Sequence, residues 1–214
     1  MSRTTSIAGV ALGLMLGACN ALVTKTPLLS KADAVGAAPM RDGLWRMEAE
    51  ADCQVDVTKP LSDWPSCAGG FVVSGETVVY YNRDVNPAVW SVQPLVVAAG
   101  SPRILQAQAD VSGDVKLNFR PYVYAGMRPI RTDPQGRIVA VAMWPVQCGP
   151  PPKNDSAGGT AKPLSGLEMK PGDPICTTTS VVALRAAAKA SEAWVPKPLT
   201  AQWLREADPQ TPRM

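Results

Sequence analysis

Apolar and polar positions alternate with period two from Gly43-Leu44-Trp45 onward, with Trp45, Met47 and Ala49 on one side and Arg46, Glu48 and Glu50 on the other. That period predicts a strand with one buried face. Phe71 to Tyr80 places Ser74-Gly75 between two β-branched runs, and Val111-Ser112-Gly113-Asp114-Val115 repeats the device after the run Ile104 to Ala109. Both predict antiparallel hairpins. A third hairpin is expected between Tyr122–Arg131 and Arg137–Val146, because Asp133-Pro134-Gln135-Gly136 supplies proline and glycine where a tight turn uses them.

The period changes near the C-terminus. Val181, Leu184 and Ala188 share one side of a helical projection, with Arg185, Lys189 and Glu192 on another, so residues 178–193 read as an amphipathic helix lying on the sheet. Pro196 and Pro198 end it. A second short helix is predicted from Thr200, with Leu199 stapled onto Leu204 and Trp203 between them. Residues 149–175, rich in proline and glycine, read as a long surface loop. Strands first and helices last predict an α+β domain over 43–214. Its core is a mainly antiparallel sheet, or a small curved barrel-like sheet, closed by the C-terminal amphipathic helix.

The N-terminal eighteen residues differ in kind. Arg3 is their one basic residue, Ile7 to Leu16 is apolar, and small residues follow, which is the layout of an export signal. The run is too short to span a bilayer, which takes about 20 apolar residues as helix. It closes on Leu16-Gly17-Ala18-Cys19, which resembles the lipobox of bacterial lipoproteins. The resemblance implies that residues 1–18 are a cleaved signal peptide and that Cys19 becomes the first mature residue, diacylated on its thiol. Two or more acyl chains hold a protein stably on a membrane where one chain does so only marginally. It further implies a cell-envelope location. Asn20 stands where aspartate would retain an enterobacterial lipoprotein in the inner membrane, which favours the periplasmic face of the outer membrane. Residues 19–42, without a clear period apart from an expected short helix around Leu28 to Val35, read as the lipidated N-terminus and its tether.

Four cysteines remain after Cys19, namely Cys53, Cys67, Cys148 and Cys176. An even number in an exported chain reads as two disulfides with three connectivities open. The local pairs Cys53–Cys67 and Cys148–Cys176 are expected, because each closes an irregular stretch of high conformational freedom. The rival is a four-thiolate zinc site, against which stand the lack of Cys-x-x-Cys spacing and of any histidine.

The missing histidine also removes the usual Ser-His-Asp and Cys-His devices. Glycine-rich dinucleotide and phosphate loops, nucleophile elbows and Ser-x-x-Lys runs do not occur. Two carboxylates could still serve glycoside hydrolysis, and Glu48 with Glu50 share a strand face. Asn82-x-Asp84-x-Asn86 begins like a calcium loop but has Pro87 where glycine is needed and Gln93 where a closing glutamate belongs. Without Arg3 the chain carries 20 basic and 18 acidic residues, so nucleic acid has no electrostatic claim on it.

Gly43-Leu44-Trp45 is similar to the Gly-x-Trp signature of lipocalin-like barrels, a family of ligand carriers that includes lipid-anchored bacterial members and similar protease inhibitors. The first expectation is therefore a non-enzymatic, membrane-anchored envelope lipoprotein without cofactor or metal. Its partners would be the membrane, through the N-terminal lipid, and another envelope protein. A lipocalin-like carrier or inhibitor is the alternative.

Overall fold

The computed structural model describes residues 20–48, 52–83, 87–109, 119–151, 162–170, 173, 175–209 and 211–212. Eight strands close on themselves: β2 (Gly43–Met47), β3 (Gly70–Ser74), β4 (Thr77–Asn82), β5 (Val89–Ala98), β6 (Arg103–Gln108), β7 (Tyr122–Thr132), β8 (Ile138–Pro145) and β11 (Leu199–Arg205). Neighbours in sequence pair antiparallel, and β11 closes the ring between β8 and β2. The fold is thus an eight-stranded antiparallel barrel, more β than the expected α+β balance. Its single α-helix among the described residues, α1 (Val181–Glu192), is capped by Ser180, whose hydroxyl accepts from the Ala183 amide.

Alternation along the strands builds the interior. Trp45, Met47, Phe71, Val73, Val78, Tyr80, Leu95, Leu105, Met127, Val141 and Met143 are buried together. The rings of Trp45 and Phe71 stack with centroids 5.9 Å apart. Eight strands enclose a space just wide enough for side chains to fill, and large apolar residues fill it here.

Two outer layers cover most of the wall. Leu184, Ala187 and Ala188 of α1 pack with Leu22, Leu29, Ile104 and Tyr124. Trp144 points outward into this layer and donates its indole N–H to Ala188 O at 2.9 Å. The connection between β2 and β3 forms the other layer, setting Cys53, Leu61 and Trp64 against Leu44, Val72 and Val79.

The two ends of the barrel differ. At one, which we term the hairpin end, β3–β4, β5–β6 and β7–β8 turn tightly, with positive φ at Gly75 and Gly136 where only glycine is unstrained. At the other, the loop end, lie the long connections out of β2, β4, β6 and β8. The expected turn at Val111 to Val115 is among these and lies outside the described residues, although β6 and β7 pair as the hairpin requires.

Three expectations need correction. Residues 20–42 are not a free tether: β1 (Ala21–Thr24) is fully buried, pairing antiparallel with β7 and parallel with β10 (Ile175–Thr177). The chain then runs along the barrel wall, where Gln106 Oε1 accepts from the Leu28 and Leu29 amides. It makes a 3-10 turn at Lys31–Ala34 and brings Met40 into the barrel core. Part of the 149–175 loop is ordered too, since β9 (Glu168–Met169) pairs with β10. The segment from Thr200 is strand β11 rather than a helix. Leu199, Ala201 and Trp203 contribute to the barrel interior, and backbone bonds to β8 and β2 on both edges outweigh the local helix preference.

Asp133 holds the β7–β8 turn. Its carboxylate accepts from the Gln135 amide at 3.1 Å, the Arg137 amide at 2.9 Å and Arg137 Nε at 2.8 Å. Burial in the turn pushes its pKa up, but these donors and the Arg137 charge outweigh that and hold it below 3.8. A depressed folded pKa contributes stability above the unfolded value that is lost as pH falls below it. Asp133→Asn is expected to lower the urea midpoint at neutral pH and to leave it closer to wild type at pH ~3. Equal losses at both pH values would exclude the ionised form as the stabilising one.

Candidate functional site

Between the helix layer and the β2–β3 layer a strip of barrel wall remains uncovered. Strand register sets one row across it: Arg46 on β2 lies opposite Gln202 on β11, Gln202 opposite Ala140 on β8, and Ala140 opposite Arg131 on β7. At about 4.8 Å per strand, the two arginine backbones stand roughly 14 Å apart. The strip is the floor of an open groove of about 730 Å³, also lined by Glu48, Cys53, Ile130 and Thr200. Ile130 is 60% exposed at its edge. Gln202 and the small Ala140 lie between the two arginines, which suits an extended anionic or hydrogen-bonding segment laid across the strands.

Glu48 stands on the rim of this groove. Thr200 Oγ1 donates to it at 2.7 Å and Lys197 Nζ lies 3.7 Å away. The Thr200 hydrogen bond, then the Lys197 charge, hold its pKa below the ordinary 4.5. That is the opposite of what a general acid needs. Its candidate partner Glu50 lies outside the described residues.

A second cleft of about 290 Å³ opens at the hairpin end, between the segment around Ala34–Met40 and the β3–β4 turn and β5. It is mainly apolar, lined by Ala37, Ala38, Met40, Val73, Leu95 and Val97, with the exposed Lys31–Glu76 ion pair at its mouth.

Gly43 and Trp45 occupy the seam where the first and last barrel strands meet. Gly43 has φ 127°, and a methyl there would overlap the Arg205 carbonyl and come within 2.6 Å of Trp203 Nε1. Trp45 Nε1 donates to Arg41 O at 2.9 Å, Trp203 Nε1 donates to Asp42 O at 2.8 Å, and the Arg41 guanidinium lies 3.5 Å from the Trp203 ring centre. This short motif therefore locks the barrel shut.

The cysteines are bonded as Cys53–Cys67 and Cys148–Cys176, the two local pairs. Thiolate ligation of zinc by these four is thereby replaced by covalent pairing. Cys19 lies outside the described residues, as do Asp84 and Asn86 of the calcium-like run, while Asn82 is buried at the end of β4. Sequence reading did not find the groove, although the outward position of Arg46 on its strand was the available signal.

No family profile, curated protein or solved structure matches this chain.

Proposed function

We propose that this chain is a lipid-anchored protein of the bacterial envelope whose barrel is a scaffold for non-catalytic binding, with the Arg46–Arg131 groove as its contact surface. The observation that carries the reading is Leu16-Gly17-Ala18-Cys19, which immediately precedes the buried Asn20. Two disulfides fit an oxidising compartment. Side chains occupy the barrel interior, which favours recognition from the outside, by an envelope protein, over storage of a large ligand within. Asn20 after the cysteine favours the outer membrane, facing the periplasm.

A second reading, a lipocalin-like carrier or inhibitor, is favoured by a specific arrangement. Gly43-x-Trp45 sits on the first strand of an eight-stranded meander, with Arg41 and Trp203 closing the seam. The 290 Å³ hairpin-end cleft would then take only a small apolar ligand.

The deciding experiment is the intact mass of protein extracted from membranes, beside Cys19→Ser in fractionated cells. The expected result is an acylated N-terminus at Cys19 and an unprocessed or released variant. Photo-crosslinkers at Gln202 should then capture an envelope partner that Arg46→Glu/Arg131→Glu loses. An unmodified chain in the soluble fraction would defeat the anchor reading and bring the carrier or inhibitor forward.

A further inference from the structure

We infer that the barrel meets the membrane with its loop end, in a fixed orientation, because no free chain separates the lipid-bearing residue from the fold. The inference rests on the anchor reading above and adds to it the face presented to lipid.

Cys19 is one peptide bond, about 3.8 Å between Cα atoms, from Asn20. Asn20 is buried and held from several directions. Its carbonyl accepts from the Cys148 amide at 2.8 Å and its side-chain amide donates to Gly149 O at 2.6 Å. Ala21 is in register with Ile175 and bridges to Gln147, and the Leu22 amide donates to Val146 O at 2.9 Å. The Cys148–Cys176 bond joins the two segments that flank this strand, since Cys176 is the register partner of Leu22. The anchor strand is thus clamped rather than hung.

The clamp also has a direction. Thr24 pairs with Tyr122, the first residue of β7, and Val146 directly follows the last residue of β8. Both positions are at the loop end. A strand of eight residues such as β8 is roughly 26 Å long, so the hairpin end, with Gln135 exposed at its turn, is held that far from the anchor. Lys170 lies beside the anchor instead, exposed and just beyond β9, whose partner β10 adjoins β1.

An ordinary lipoprotein tether gives the opposite expectation. Twenty flexible residues have a root-mean-square span of about 25 Å, enough to let either end of the barrel face the bilayer. Such a protein would present no defined surface to lipid.

The test uses full-length protein matured in cells and reconstituted into phosphatidylethanolamine–phosphatidylglycerol vesicles containing a nitroxide-headgroup lipid. A fluorophore is placed through a non-cysteine handle at Lys170 or at Gln135. Severalfold stronger quenching at Lys170 than at Gln135 is expected, and a twenty-residue Gly/Ser linker inserted between Cys19 and Asn20 should abolish the difference. Equal quenching at the two sites in protein whose mass shows acyl chains would overturn the orientation and leave the anchor standing. Protein without acyl chains would remove both.

Discussion

Gly126→Ala is expected to destabilise the protein by about 4 kcal/mol, a large share of the net stability of a domain this size. Gly126 on β7 is the register partner of Trp144 on β8, and a methyl group there would overlap the indole, including the nitrogen that donates to Ala188 O. Gly126 is itself fully enclosed and Trp144 is 1% exposed, so the ring has nowhere to move within the helix layer. Displacing it would leave a buried indole N–H and the Ala188 carbonyl without their partner and separate α1 from the wall. Both the urea midpoint and the near-ultraviolet circular dichroism of tryptophan should report this. In a Trp144→Ala background the same change should cost little further, because the clash is gone. A loss below about 1 kcal/mol for Gly126→Ala alone would show that the indole contact does not hold the helix.

The features legible in the sequence were those with local causes. Ser74-Gly75 and Asp133 to Gly136 each contain their own turn chemistry, and β3–β4 and β7–β8 follow. The Val181, Leu184 and Ala188 spacing describes α1 to within a turn. Beyond these, the fold depends on pairings between distant segments. Ala201-Gln202-Trp203-Leu204-Arg205 is made of good helix formers, and it becomes a strand because only β11 can satisfy the facing edges of β8 and β2. Asn20 to Thr24 is too short to show a period, and its burial comes from β7, β10 and Cys148 together. The groove is less legible still. Arg46, Gln202, Ala140 and Arg131 become neighbours only through the register of four strands, so no stretch of sequence contains the site.

The paired change Cys148→Ser/Cys176→Ser is expected to cost more than Cys53→Ser/Cys67→Ser and to act at a different place. In the chain-entropy view, cross-linking residues 28 apart stabilises by about 3.5 kcal/mol, and 14 apart by about 3 kcal/mol. Entropy alone barely separates them. Burial does: Cys148 and Cys176 are 0% and 2% exposed within the apolar helix layer, whereas Cys67 is exposed. Two serine hydroxyls put in that layer would need partners there, which adds about 1–3 kcal/mol for each left unsatisfied. The structural consequence is specific. Without the bond, β10 and the chain after β8 are no longer joined across β1, so amides of residues 21–24 and 175–177 should exchange far faster while β3 to β6 remain protected. The Cys53–Cys67 double variant should leave those amides as they are and loosen the β2–β3 layer over Leu44 and Val72 instead. Uniform deprotection in both variants would mean that each bond stabilises the domain as a whole, and the clamp on the anchor strand would have to be sought in its hydrogen bonds alone.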